Sequence, residues 1–541
     1  MKRKHLFLGI IILLAFILRF WQLGATPSSP DWDEVSLGYN AYSIIQTGKD
    51  EYGQPFPIVL RSFEDYKPAL YSYIAIPFVK LFGLNIFAVR LPSLILGLIT
   101  LIATYFLVKE LFEREDLAIV STFLLAISPW HIQFSRVAFE SNLGLTLTIL
   151  FILFFLKGIK KPWLLSLSAF FAALALYSYQ AEKLLVPLFA VFLILIFRKK
   201  LIYISPRFIF VSIAVLLVIS LPILIFTFTN KNALSRAQAT SFLNNPLSGA
   251  NDSKKIEVDK KNSDVLGIVL DNRRINYAKE FISNYLWHYN LNWLFVRGES
   301  ANPYITHGRH QPPGMGNLYL FELPFILAGI YLLLFSDYRK TTKTLIIGWL
   351  LLVPIPAALT WDVPNSVRTL SFLPTFQILS ALGLLFFYRK IVALRYKIAV
   401  LTIVVSIALF NFVYYLDQYF VQYNYFSSKS WQYGYSVLIP KLNQISGNYQ
   451  RIVVSNTENL EQSYIFFLFY LKYPPQIYQM EKDFSHSFSK YKFGFSKESL
   501  NKGDLLVLSP LEYQSVEGKL MYIDEVLFKN GERAFVIAKV K

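Results

Sequence analysis

The sequence predicts an α-helical polytopic membrane protein of about eleven transmembrane helices over residues 1–420, followed by a small extracytoplasmic α/β domain over residues 421–541. Three observations carry this. Hydrophobic residues make up 54% of the 541 and charged residues only 16%, too apolar for a soluble chain of this length. Apolar runs of spanning length recur along the first three quarters of the chain. The basic residues fall in alternate connections between those runs.

A span needs about 20 mainly apolar residues, and 6–23, 85–108, 117–131, 142–156, 163–178, 184–198, 208–229, 317–335, 344–360, 370–388 and 398–416 meet that need. The first follows a basic start, with no small-x-small cleavage pattern behind it, and is expected to be an uncleaved signal-anchor. When eleven spans are threaded, Lys2 to Lys4, Lys109 and Arg114, Lys157 to Lys161, Arg198 to Arg207, Arg339 to Lys343 and Arg389 to Lys397 fall on one side. By the positive-inside rule that side is the cytoplasm, which puts the N-terminus inside and the C-terminal domain outside the plasma membrane. The formal charge of +18 is thus accounted for by topology, and a nucleic-acid partner is not expected. Without cysteine there are no disulfides, thiol nucleophiles or thiolate metal sites.

The outward side receives an acidic first loop (24–84), short turns near 131–141, 179–183 and 361–368, a long loop (230–316) and the tail. Residues 69–84 suit a helix lying in the interface. Within the long loop, 244–274 reads as flexible or peripheral, and the aromatic run from Ala278 as a surface helix. The tail reads as strand, helix, strand and a hairpin turning at Asn530-Gly531.

Ionisable groups at a membrane are functional candidates because they are costly to keep there. The first loop holds Asp31, Asp33, Glu34, Asp50, Glu51, Glu64, Asp65 and Lys67; Arg136 and Glu140, then Glu182 and Lys183, then Arg368 stand in the later outward turns. Both signs converge on one face. Transfer of a sugar from a lipid phosphate to a hydroxyl needs that mixture: a carboxylate to take the proton, cations to stabilise the departing phosphate.

The motifs WDE after the first span, FEDYKP closing the first loop, ISPWHIQFSRVAFESNLGL and WDVPNSVRTLSFLP together resemble the bacterial branch of glycosyltransferase family 39. That group is similar to protein O-mannosyltransferases and the lipid A aminoarabinose transferase, all of the GT-C fold. The resemblance covers about 1–420. It implies an inverting transferase of a hexosyl or pentosyl group, with a polyprenyl-phosphate sugar as donor, a protein, lipid or glycan as acceptor, and membrane lipid as surroundings. Position by position, it implies Asp33 as general base supported by Glu34, Glu140 as a second acid where the family usually has Asp, and Lys67 and Arg136 as phosphate or substrate contacts. The aminoarabinose branch has Phe-Glu-Lys-Pro where this chain has two more residues, so either Glu64 or Asp65 takes the place of a Glu that there helps bind a metal. Lys183 and Arg368 join the phosphate-binding set as outward cations.

Each residue also has a plainer reading. Asp33 could cap the following helix, or Asp31 could do so instead; Arg136 and Glu140 could form a helical i,i+4 pair; Lys67, Glu182 and Lys183 could be interface residues. Asp31, Asp50 and Glu51 are assigned to capping and solvation. His131, His307 and His310 show no metal spacing and read as surface or interfacial, so no obligatory cofactor or metal is expected. The rival functions are a metal-dependent oligosaccharide transferase using a diphosphate-linked donor, a lipid-sugar flippase, and an anchored binding module.

Overall fold

The computed structural model describes residues 2–541 except 64, 231–232, 234, 245, 303–307, 393–394, 484 and 499. Every apolar stretch anticipated as a span contains a helix. In order, the first part of the chain forms α1 (Lys2–Phe20), α2 (Trp32–Thr47), β1 (Val59–Ser62), β2 (Asp65–Pro68), α3 (Leu70–Phe82), α4 (Ile86–Phe112), α5 (Glu115–Ile127), α6 (Pro129–Phe134), α7 (Glu140–Lys160), α8 (Leu164–Ala175), α9 (Glu182–Leu201) and α10 (Pro206–Thr229). Helices Glu322–Phe335, Lys340–Leu352, Thr375–Val392 and Lys397–Asp417 complete the bundle. Among the described residues, six helices are long and apolar enough to cross a membrane: Ile86–Phe112, Glu140–Lys160, Pro206–Thr229, Lys340–Ala358, Leu370–Ile391 and Lys397–Phe426.

The central helices bury most of their surface in the bundle, whereas only 11% of the apolar window of Pro206–Thr229 and 6% of that of Lys397–Phe426 is covered. Those two outer helices present their apolar side chains to lipid. Where Glu322–Phe335 crosses Thr375–Val392, a Cβ at Gly329 would collide with the Leu379 carbonyl and one at Gly383 with the Phe325 carbonyl. Small residues let these two helices meet backbone to backbone.

The described residues of 24–84 fold into an ordered cap. The Asp31 carboxylate accepts from Glu34 N at 2.9 Å and starts α2, and Gly48 in the left-handed region (φ +69) ends it by donating to Ile44 O. A short antiparallel hairpin, β1 with β2, then leads into α3. Polar residues 244–274, expected as a loop, are helical in Pro246–Lys261 and Val265–Leu270. Their run of Lys, Glu, Val and Ile contains good helix formers, and Asp264 caps the second piece through Gly267 N at 2.9 Å. The aromatic run from Ala278 fills the C-terminal part of the helix Arg273–Trp287 and continues into the π-helical turn Trp293–Arg297.

The tail builds a five-stranded sheet in the order β4 (Tyr491–Phe493), β3 (Ile452–Val454), β5 (Leu505–Leu508), β7 (Arg533–Val540), β6 (Leu520–Leu527). β3 pairs parallel with β4 and β5, while β5, β7 and β6 run antiparallel. β4 has three residues, too few to show a period in sequence. The tail docks on the first loop: Tyr39 Oη donates to Tyr473 O at 3.0 Å, Gln479 Nε2 to Asp50 O at 2.8 Å and Lys482 Nζ to Glu51 O at 3.1 Å.

Candidate active site

The start of α2 places its first carboxylates on different tasks. Asp31 is the N-cap through one oxygen and accepts from Arg309 Nη1 through the other, at 2.7 Å. Asp33, freed from capping, meets Lys67 Nζ at 3.1 Å. Lys67 reaches it from β2, whose pairing of Leu60 with Lys67 and Ser62 with Asp65 fixes which side chains face inward. Its neighbour Tyr66 points the other way, against Phe226 at 5.8 Å.

Asp31, Asp33, Lys67, Glu140, Arg309 and Arg368 line one cleft, with Phe139, Tyr179, Gln180, His310, Asp362 and Asn365. Arg368 pairs with Asp362 and also donates to Thr360 Oγ1 at 3.2 Å. Burial pushes the Asp31 carboxyl up to about 7; Arg309 opposes this, and the like charges of Asp33 and Glu34 add to it. Burial alone would lower the Lys67 ammonium, but Asp33 and then Glu140 outweigh it and hold Lys67 above its usual range.

A second pocket of about 470 Å³ shares Tyr179, Gln180 and Arg368 with the cleft. Lys183 lies here rather than in the cleft, among Leu184, Leu243, Pro356 and Leu359. This pocket combines two cations, Lys183 and Arg368, with an apolar wall.

Besides Lys183, the structure keeps Glu34 and Arg136 out of the cleft. Glu34 is fully buried, with Oε1 accepting from Arg90 Nε at 2.8 Å and from Ala138 N at 2.7 Å, and Oε2 from Arg90 Nη2 at 2.8 Å. The remaining Arg90 N–H groups bond Leu23 O, Pro27 O and Ser29 O. The pair is a strut tying α2 to α4 and to the turn before α7. Arg136 donates to Leu18 O and Arg19 O, both at 2.8 Å, and to Thr26 O at 3.0 Å, so it closes the open carbonyls at the end of α1. It precedes α7 and stands over Tyr419 and Phe420 instead of pairing along a helix with Glu140.

Glu140 does come to the cleft, and Glu182 is spent on Thr148 Oγ1 and Ser371 Oγ. Asp50 accepts from Tyr52 N and Gln54 N in a turn, and Glu51 is buried beside Asn40 rather than solvated. Glu64 and His307 lie outside the described residues, as does the side chain of Asp65. His131 and His310 are buried, not surface, residues: His131 faces Arg19 Nη2 at 2.8 Å and His310 faces Glu299 at 2.6 Å. Among the described residues no group of three or more His, Asp or Glu is arranged to hold a metal ion.

Arg309 and Asp362 are cleft residues that sequence reasoning passed over, and His310 is one that it read as surface or interfacial. Their signal was local: HGRHQPPG and WDVPN are polar, turn-forming runs between apolar spans.

Residues 66–226 match the family model for dolichyl-phosphate-mannose-protein mannosyltransferases. The matched segment contains Lys67, Arg136, Glu140 and Lys183. Over 98% of this chain and 97% of the other, the fold matches ArnT from Cupriavidus metallidurans bound to undecaprenyl phosphate, with a TM-score of 0.57 and 12% identity. The chain has the GT-C membrane fold of this transferase. The oligosaccharyltransferase AglB from Archaeoglobus fulgidus, in complex with an inhibitory peptide and a dolichol-phosphate, matches 86% of this chain over 63% of its own, with a TM-score of 0.52 and 14% identity. The same archaeal enzyme tethered to an acceptor peptide gives 0.53 and 15%, over 98% and 74%. Comparison with curated protein sequences finds no match. In the GT-C frame the cleft lies at the junction of the first-loop cap, the long loop and the bundle.

Proposed function

We propose that this GT-C protein transfers a sugar from a polyprenyl-phosphate donor to an acceptor hydroxyl outside the cytoplasm, with inversion at the anomeric carbon and Asp33 as the general base. The observation that carries the reading is the Asp33–Lys67 pair, which opens onto a cleft continuous with a pocket of mixed cationic and apolar walls. The lipid phosphates bound to ArnT and AglB support a lipid-phosphate donor, and the peptide ligands of AglB support a macromolecular acceptor.

In this reading the acceptor hydroxyl sits against Asp33, whose ionised form Lys67 favours. As the oxygen attacks C1, its proton passes to the carboxylate and the bond from C1 to the phosphate oxygen breaks on the opposite face. Arg368, shared by the two pockets, and Lys183, in the second, stabilise the charge that gathers on the phosphate. The polyprenyl chain runs along the Leu184–Leu359 wall toward the membrane. A protein, lipid or cell-surface glycan serves as acceptor, and the sugar is a hexose or pentose. The basic connections face the cytoplasm, which sets the cleft and the tail outside.

No step is assigned to a metal. Transfer that survives chelation separates this reading from an oligosaccharide transferase with a diphosphate-linked donor and a divalent ion. The central test is transfer by Asp33→Asn in membranes loaded with labelled polyprenyl-phosphate sugar; full activity there would sink the assignment.

A further inference from the structure

A buried histidine also lines the cleft. His310 Nδ1 lies 2.6 Å from Glu299 Oε2, and both side chains are buried. Glu299 Oε1 accepts from Ser366 N at 2.9 Å. With Glu299 as the acceptor, Nδ1 carries the hydrogen and Nε2 is the nitrogen that would exchange a proton. The ring is fixed between Phe134 and Phe139, each with its centroid 5.9 Å away.

The backbone around the pair is built for it. Gly298 adopts φ +55, and a Cβ there would press 2.8 Å from the Gln311 side chain. Gln311 Nε2 in turn donates to Asn317 Oδ1 at 2.8 Å and to Ser366 Oγ.

The charges sharing the cleft with His310 define what it is needed for. Asp31 and Asp33 come from α2, Glu140 from α7 and Asp362 from the 361–368 turn, against Lys67 from β2, neighbouring Arg309, and Arg368. Each of the three cations is already ion-paired, to Asp33, Asp31 and Asp362 respectively. Among the described residues the lining holds four carboxylates and three cations. A phosphodiester donor brings one further negative charge, and its cleavage would leave a phosphate carrying two.

We propose that His310, held by Glu299, protonates the lipid phosphate as it leaves the sugar. The bond from C1 to the phosphate oxygen breaks with its electron pair on oxygen, and the Nε2 proton moves to that phosphate. The acceptor hydroxyl's proton moves to Asp33, and the product phosphate departs as a monoanion. Neutral His310 is recharged from solvent, to which Asp33 releases its proton. Glu299 acts through the imidazole and is a positioning residue. This inference rests on the glycosyl-transfer reading.

The test is the pH dependence of transfer from labelled polyprenyl-phosphate sugar by the full-length protein in membranes. Wild type is expected to lose rate as pH rises through the imidazole range. His310→Gln is expected to fall by roughly 10²-fold at the wild-type optimum and to lose that alkaline limb. Glu299→Gln removes the charge that favours the imidazolium, so its limb moves to lower pH. Either variant keeping the wild-type limb overturns the proposal. A loss of folding is detected by thermal unfolding, and the milder Glu299→Gln then decides. Absence of transfer by wild type itself is the distinct outcome in which the reading beneath the proposal fails, and the proposal with it.

Discussion

Lys67 Nζ stands 3.1 Å from Asp33 Oδ1 although 34 residues separate them in the chain. The contact is made by two local structures: an N-cap that presents Asp33 from the first turn of α2, and a four-pair hairpin that presents Lys67 from β2. Neither element is long, and each orients one charged side chain over the end of the bundle.

Asp33→Asn is expected to lower transfer by roughly 10²–10⁴-fold, the range for removing a general base. The fold survives, because Asp31 and not Asp33 supplies the N-cap bond. Initial rates with labelled donor, set beside an unchanged thermal unfolding curve, check both halves of the expectation.

Glu34→Ala behaves in the opposite way. It leaves the Arg90 guanidinium buried without its carboxylate, and breaking one side of such a pair costs about 3–5 kcal/mol. A large drop in unfolding temperature is expected. Replacing Glu34 and Arg90 together by apolar residues of similar volume recovers part of the loss, and a Glu34→Ala protein as stable as wild type would contradict the strut.

The span helices were legible because periodless apolar runs of this length have one common solution in lipid, and the sign of the connections orders them. The division of labour among the charged residues was not. Asp31, Asp33 and Glu34 are neighbours in sequence, yet one caps and pairs with Arg309, one faces the cleft, and one is sealed against Arg90. What separates them is the 100° turn of a helix and a partner 56 residues away for Glu34, neither of which a motif encodes. Arg136 misled for the same reason: its partners are backbone carbonyls of α1, which carry no sequence signature. Arg309 was passed over, and His310 read as surface or interfacial, because a polar loop without a family motif gives no reason to place it over the site.

Lys183 and Arg136, both phosphate candidates by sequence, are expected to part company on mutation. Lys183→Ala removes a cation from the apolar pocket and raises the donor KM, by roughly 10- to 100-fold if a charged hydrogen bond of about 1.5–3 kcal/mol is lost. Arg136→Ala opens the end of α1 and lowers the unfolding temperature instead. Donor titrations and melting curves for the two variants discriminate them, and equal effects on donor KM would show that the pocket assignment is wrong.

Asp31 gives a pH dependence with a definite sign. Burial raises its folded value to about 7, against about 4 for an unfolded aspartate. The folded chain therefore binds the proton more tightly than the unfolded chain, so this stabilisation is complete below about pH 4 and is lost as pH rises through 7. Asn at the same position still caps α2 but does not titrate. Relative to Asp31→Asn, wild type should lose stability steadily between pH 5 and 7 and show a constant difference above about pH 8. Thermal unfolding of both proteins in detergent across that range measures the difference, and a gap independent of pH would mean that Arg309 keeps Asp31 ionised throughout.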